Sequence, residues 1–474
     1  MSALRGQFSS RFGFVMAAAG SAVGIGNLVG FPVMASKNGG AAFLFVYLLC
    51  IVFICFPIMM AEVAMGRAAQ SSPVGAFGSL ANGSRFWRKV GGLAIVTPFM
   101  ISVFYTVITV WIGIYALQSL LGNLDQLARP EAFGEIVSSP SIFVYAVPLM
   151  ALVFFILAGG VKDGIERSVR ILMPALILLL VLLVAFVLTL DNALAGLRFF
   201  LVPDFSKISS GVINAAVNHG FFSLSLGMGI MITYGSYLNR RESIVNSAGT
   251  ACGLDTVISI FAGLLLIPAV FAVNPLVQGS ELTDSSIGMM FSYMPSVLLS
   301  LQDYVGYFGA SVVASLFFLL IFFAALTSLV SITEIPIAWF IDEKRVPRRA
   351  AIGWLVILQG VFVVMAILSF GISGFFTQFV HYGGMDKSFF DLILDVFYET
   401  ILPLIGFTVC LFCCYRWRLH AMSREIAQGA PGFEGSLLQR YLALTLGTLI
   451  PVMLLAVFAS NVSRLYFSHN LFGF

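Results

Sequence analysis

The chain has 474 residues, of which 59% are hydrophobic and 10% charged, with a formal net charge of +3. Soluble domains carry about a quarter charged residues, so there is too little polar material here to cover a water-facing surface. Apolar runs of about 20 residues, enough to cross a hydrocarbon core at 1.5 Å per residue, recur throughout and predict an all-α polytopic membrane protein. The short alternating segments of a β-barrel are not seen.

Roughly eleven spans are predicted, at 11–35, 41–66, 90–121, 141–158, 168–190, 211–237, 243–273, 304–340, 351–370, 389–415 and 437–460. With the N-terminus inside, Lys37, Arg129, Arg198, Lys207, Lys387 and Arg464 fall outside, and the other 19 of the 25 Lys and Arg fall inside. That bias fixes the orientation as N-terminus cytoplasmic. An odd number of spans then puts the C-terminus outside. No cleavable signal peptide is expected, because the first span is long and begins near residue 11.

The first span contains "GSAVGIGNLVGFP", Gly20 to Pro32. Glycine costs about 1 kcal/mol against alanine in a helix interior, and lipid tolerates irregular backbone only where it is buried in protein or lines a cavity. Gly20, Gly24 and Gly26 alone fit close packing through small residues equally well. The sixth span supplies a second cluster, "FFSLSLGMGIMITYGSY", with Gly227 and Gly229 beside Ser223 and Ser225. If the chain is two five-helix halves, spans 1 and 6 correspond, and paired interrupted helices point to a transporter built from inverted repeats. Half-helix N-termini attract an anionic group, while freed carbonyls coordinate cations.

Asp255 lies inside the seventh span, and an intramembrane carboxylate is a functional candidate by default; the alternative is a structural acid paired with a neighbour. Glu62 and Glu334 sit toward the cytoplasmic half. The stretch 281–303 reads as a short apolar helical hairpin over the outer vestibule. In the eighth span, Thr327, Ser328, Ser331 and Thr333 would, alone, be hydroxyls bonding their own i−4 carbonyls. Beside two broken helices they become a candidate site for a hard cation. Cys50, Cys55, Cys252, Cys410, Cys413 and Cys414 fall in or at the ends of spans and read as packing residues. Four scattered histidines and no catalytic dyad argue against an enzyme, and a channel would need a continuous pore.

The stretches "RFGFVMAAAGSAVGIGN", "FPVMASKNGGAAFLFVY", "AEVAMGR", "SLSLGMGIMITYGSY", "LDTVISIFAGLLLIPAVF" and "FFAALTS" together resemble the neurotransmitter:sodium symporter family, in its bacterial amino-acid branch. The resemblance implies a leucine-transporter-like fold: a 5+5 inverted repeat with unwound helices 1 and 6, an inner-membrane location, and alternating access. It divides the chain into a first repeat over 1–190, a second over 211–370 with 389–415, and an accessory helix over 437–460.

The resemblance also implies a site. A first sodium ion would meet the Ala22 carbonyl, Asn27, Ser223 and Asp255. A second would meet the carbonyls of Gly20, Val23 and Ala324 and the hydroxyls of Thr327 and Ser328. The substrate carboxylate would meet the Gly26 amide and Tyr105, and its amine would face Phe222, Ser223 and Ser225. Ile25, Ile101, Phe104, Phe222, Met228, Ser328 and Ile332 would line the side-chain pocket. Relatives that carry monoamines have an aspartate where this chain has Gly24, so a substrate with its own carboxylate is expected, and an apolar, roomy pocket favours a hydrophobic or aromatic amino acid.

Asp255 replaces the asparagine of chloride-dependent animal relatives, so no chloride is expected. Arg5 and Asp342 would form the inner gate, steadied by Ser236 and Tyr237. At the outer gate the family's usual arginine is replaced by Gly30, leaving Asp395 to Lys37, to water or to another task. The partners expected are an amino acid and membrane lipid, with no nucleic acid and no obligatory protein. The alternatives are a proton-coupled or exchange carrier of the same architecture, which would lack the Thr327–Ser328 pair, or a symporter for another small carboxylated amine.

Overall fold

The computed structural model describes residues 6–273, 286–469 and 471. Arg5 and residues 281–285 of the outer hairpin lie outside the described residues. Among those described, eight helices are long and apolar enough to cross a membrane, and a ninth is the bent pair Arg11–Ala22 and Gly26–Lys37. The predicted spans find their helices in order. Span 1 is that bent pair, and span 2 is Ala41–Ala69. Span 3 is Arg85–Leu120, span 4 the shorter Ile142–Ala158, and span 5 Gly160–Val187. Span 6 is split into Ser210–Ser223 and Ile230–Gly235. Span 7 is Ile244–Val273, and span 8 belongs to Gln302–Lys344, which is kinked at Gly306. Spans 9, 10 and 11 are Arg348–Leu368, Phe389–Arg416 and Leu437–Phe467.

Burial sorts these helices. The most apolar window of span 3 is 89% buried inside the protein, against 33% for spans 5 and 9. Span 3 is therefore a central post, and spans 5 and 9 lie at the periphery of the bundle with much of their apolar surface uncovered. Spans 2 and 6 cross closely because both lack side chains at the contact. A Cβ on Gly66 would run into the Ile232 carbonyl, and one on Gly235 would lie 2.5 Å from the Val63 carbonyl. That is the physical use of the glycine in "AEVAMGR".

Both breaks lie at the depth of the site. The first half of span 1 starts on an N-cap, Ser10, whose hydroxyl accepts from the Gly13 N–H at 3.1 Å. It stops at Val23, whose backbone is extended, and the chain resumes as a helix bent by 54°. In span 6, Ser225, Gly227 and Gly229 have φ of 54°, 73° and 71°. This is left-handed backbone that no helix can contain. Glu62 pins that segment from span 2, its Oε1 accepting from the Gly227 N–H at 2.8 Å.

Surface elements between the spans include the helices Pro73–Leu80, Ala193–Leu201 and Leu419–Ala427 and a β-hairpin pairing Val380–Tyr382 with Met385–Lys387. Met289–Ser300 packs on span 3, where the Tyr115 hydroxyl donates to the Phe291 carbonyl at 2.9 Å.

Candidate functional site

Where spans 1 and 6 come apart, a small cavity opens between them and spans 3 and 8. It holds about 10 Å³, room for about one water, so the roomy pocket expected from the sequence is not open in this structure. Ala22, Gly26, Tyr105, Phe222, Ser223, Ser225, Met228, Ser328 and Ile332 line it, together with Ser21, Gly24 and Asn27. Ile25, Ile101 and Phe104 are not among its lining residues. Ile25 contributes its backbone instead, the N–H donating to the Tyr105 hydroxyl at 3.2 Å, and Ile101 is fully buried. Gly24 sits in tight quarters: a Cβ there would lie 2.5 Å from the Tyr105 hydroxyl oxygen and 2.8 Å from Ser328 Oγ, two side-chain ends that would have to move.

On one side of the cavity stands a carboxylate cluster. Asp255, with no exposed surface, accepts from Asn27 Nδ2 at 2.6 Å and from the Tyr47 hydroxyl at 3.2 Å. Ser223 Oγ lies 3.0 Å from both of its carboxylate oxygens. Asn27 Nδ2 also reaches Ser223 and Ser259 at 2.9 Å. Its Oδ1 accepts the Gly24 N–H at 3.0 Å and so caps a donor that the broken helix frees. All of Asp255's hydrogen-bond partners are neutral, and among the described residues no Lys, Arg or His pairs with it. A buried carboxylate without a cation is costly, and is relieved either by a cation beside it or by a proton.

A second oxygen cluster lies where span 1 meets span 8. The Ser328 hydroxyl is 3.2 Å from the Val23 carbonyl and 3.1 Å from that of Ser21. The Thr327 hydroxyl is 3.0 Å from the Ala324 carbonyl. The break leaves the span 1 carbonyls without i+4 partners, and the Ser328 hydroxyl turns toward two of them, while the Thr327 hydroxyl also bonds the Phe323 carbonyl of its own helix at 3.2 Å. Gly20, the fifth residue of that predicted set, packs through its Cα face toward Val169 and Met173 on span 5. Carbonyls and hydroxyls alone make a hard-oxygen donor set, which suits an alkali cation and not a thiolate- or imidazole-seeking metal.

On the side of the cavity expected to face outward, aromatic rings pack over it. Tyr398 meets Phe222 edge-on with centroids 4.5 Å apart, and Phe104 at 6.1 Å. Sequence reasoning missed Tyr398, although it stands one helical turn after Asp395. Asp395 has partners that the sequence reading did not name: Lys387 lies 3.1 Å from Oδ2, and the Tyr382 hydroxyl donates to the same atom at 2.8 Å. Both come from a β-hairpin, Val380–Tyr382 with Met385–Lys387. The signal for it was present in "HYGGMDK", a Gly-Gly turn between polar-aromatic flanks, with φ of 60° and 78° at the two glycines.

At the end of the bundle expected to face the cytoplasm, Asp342 Oδ2 accepts the Ser72 N–H at 2.6 Å. The Ser236 hydroxyl donates to the Thr233 carbonyl at 2.5 Å, and the Tyr237 hydroxyl to Glu334 at 3.0 Å. Arg348 holds Glu334 through both guanidinium ends. The N-terminal segment docks here, with the Phe8 N–H on the Tyr237 carbonyl at 3.3 Å.

Comparison with known proteins bears on this geometry. The family model described as "Sodium:neurotransmitter symporter family" matches residues 5–128 and 136–472. An uncharacterized sodium-dependent transporter, YhdH, of Bacillus subtilis (strain 168) is 31% identical over 471 residues, covering 97% of this chain and 98% of its own. A sodium- and chloride-dependent betaine transporter of Caenorhabditis elegans is 25% identical over 458 residues, covering 85% of this chain and 74% of its own. Among solved structures, MhsT in complex with L-phenylalanine superposes with a TM-score of 0.83 at 36% identity, over 96% of this chain and 100% of that one.

Proposed function

Because the chain belongs to the sodium:neurotransmitter symporter family, and is therefore a multi-pass sodium-dependent transporter and not an enzyme, we propose that it imports a hydrophobic or aromatic amino acid. Two sodium ions accompany each substrate, and chloride is not required. The observation that carries this reading is Asp255: a buried carboxylate, wholly surrounded by neutral donors, at the edge of a cavity between two broken helices. A sodium ion among Ala22, Asn27, Ser223 and Asp255 would supply the missing positive charge. A second ion would sit among the oxygens of Gly20, Val23, Ala324, Thr327 and Ser328.

Gly24 supports a substrate with its own carboxylate. The side-chain-free position leaves the Tyr105 hydroxyl and the Gly26 N–H to meet that group. Phe222, Met228 and Ile332 give the rest of the cavity an apolar character. The likeness to MhsT, solved with L-phenylalanine, favours the same substrate class here. The fixed charge of Asp255 stands where a bound anion would otherwise be needed, hence the independence from chloride.

In this reading residues 1–190 form the first repeat, 211–370 with 389–415 the second, and 437–460 an accessory helix. The N-terminus is cytoplasmic, the C-terminus is outside, and the membrane is the bacterial inner membrane. Spans 1, 2, 6 and 7 rock against spans 3, 4, 8 and 9, opening the cavity alternately to each side. The test is uptake of labelled phenylalanine into proteoliposomes. An inward sodium gradient should drive accumulation whether the counter-ion is chloride or gluconate. Uptake that follows a proton gradient in potassium buffer overturns sodium coupling.

A further inference from the structure

At the cytoplasmic face, the chain passes twice between the two groups of helices that this rocking motion would separate. Span 2 ends at Gln70, a left-handed residue with φ 49°. The short helix that follows then bonds to the other group, with the Ser72 N–H on Asp342 of span 8 at 2.6 Å. Span 10 ends with Arg416, whose guanidinium donates at 2.5 Å to the Ala81 carbonyl just before span 3. Two residues later comes Arg418, at φ 71° and ψ 135°. A side-chain-bearing residue adopts that conformation only under strain.

Beyond Arg418 the helix Leu419–Ala427 turns to the first group. Arg67 of span 2, with no exposed side-chain surface, directs Nε to Glu425 Oε1 at 2.6 Å. Its Nη1 donates to the Glu242 carbonyl, in the loop between spans 6 and 7, at 2.6 Å. Its Nη2 donates to the Glu425 carbonyl. One buried guanidinium thus joins span 2, the 6–7 loop and this helix.

Magnitudes decide which of these contacts yields when the groups separate. Parting a buried, fully bonded Arg–Glu pair leaves an uncompensated charge, which is strongly unfavourable. An arginine–carbonyl bond at the surface is cheaply exchanged for water. We propose that Leu419–Ala427 is a cytoplasmic strap that travels with spans 2, 6 and 7, hinged at Arg418, and that Arg67 and Glu425 are the positioning residues that make it do so. This rests on the alternating-access reading above.

The test uses the full-length protein in nanodiscs, with spin labels on cysteines replacing exposed arginines. Arg424→Cys reports the strap, Arg241→Cys the 6–7 loop and Arg349→Cys the start of span 9. Distances are compared between sodium with phenylalanine and sodium-free potassium buffer. The 424–241 distance should hold while 424–349 changes in step with 241–349. If 241–349 changes while 424–349 stays fixed, the strap belongs to the other group and the proposal is overturned, with the transport reading intact. If 241–349 does not change, the alternating-access reading fails and the strap with it.

Glu425→Gln adds a functional readout. The 424–241 distribution should broaden and the maximal uptake rate fall about fivefold, with the KM for substrate within twofold. An unbroadened 424–241 distribution in this variant overturns the role given to Arg67 and Glu425. Should the variant fail to fold, the distances in the unsubstituted background decide alone.

Discussion

In the proposed function Asp255 and Gly24 would set the chemistry through opposite means, one by charge and one by having no side chain. Asp255→Asn keeps the size and most hydrogen bonds of the cluster but removes its charge. Uptake should drop at least tenfold in gluconate buffer and recover when chloride is added, because a mobile anion then replaces the fixed one. A variant indifferent to chloride would show that Asp255 does not play this part. Gly24→Asp tests the substrate class. A carboxylate at this position would intrude on Tyr105 and Ser328 and occupy the space given to the substrate's own. Binding of phenylalanine should weaken by about a hundredfold, roughly 2.7 kcal/mol, as read by scintillation proximity. Decarboxylated phenethylamine should lose far less. Equal losses for both ligands would mean the carboxylate is met elsewhere.

At the scale of elements, the broken helices depend on glycines that cannot be exchanged. Gly229 has φ 71°, and a Cβ there would lie 2.8 Å from the Ala94 carbonyl. Gly229→Ala should destabilise the protein by about 2 kcal/mol or more, since left-handed backbone alone costs roughly 1–2 kcal/mol. Gly253→Ala in the regular helix of span 7, with open space around it, should be neutral or slightly stabilising. Thermal unfolding of both variants in detergent checks this. The β-hairpin yields another prediction. Lys387→Met leaves Asp395 with only Tyr382, so the hairpin should open more readily, with amide exchange over 380–387 rising about tenfold, equivalent to 1.4 kcal/mol.

These elements also show what a single sequence can reveal. The glycine clusters of spans 1 and 6 were legible because lipid forbids irregular backbone, so a helix breaker inside an apolar run demands a reason. Thr327, Ser328 and Asp255 were legible as polar groups in a solvent that penalises them. The Lys387–Asp395 pair was not, because it depends on a hairpin register that a few polar residues specify weakly. The Arg67–Glu425 pair was hidden for another reason: its partners are 358 residues apart, and in the sequence each looks like an ordinary cytoplasmic charge. Tyr398 was lost among 46 phenylalanines and 14 tyrosines, where only packing distinguishes a lid from a lipid-facing ring.

For the whole molecule, the decisive quantity is the charge moved per cycle. The proposed cargo is two sodium ions and a zwitterion, carrying two positive charges. Moving one charge through 100 mV is worth about 2.3 kcal/mol, which raises accumulation about fiftyfold, and two charges raise it about two-thousandfold. The difference separates stoichiometries without resolving any ion. Proteoliposomes with equal sodium on both sides, given a potassium diffusion potential of about 100 mV, inside negative, isolate the voltage term. Accumulation near the upper figure supports two ions, and accumulation near fiftyfold supports one. A one-ion result would leave one of the two oxygen clusters without transport. Thr327→Ala combined with Ser328→Ala would then identify which: the slope against voltage falls only if the span 8 hydroxyls hold an ion that crosses.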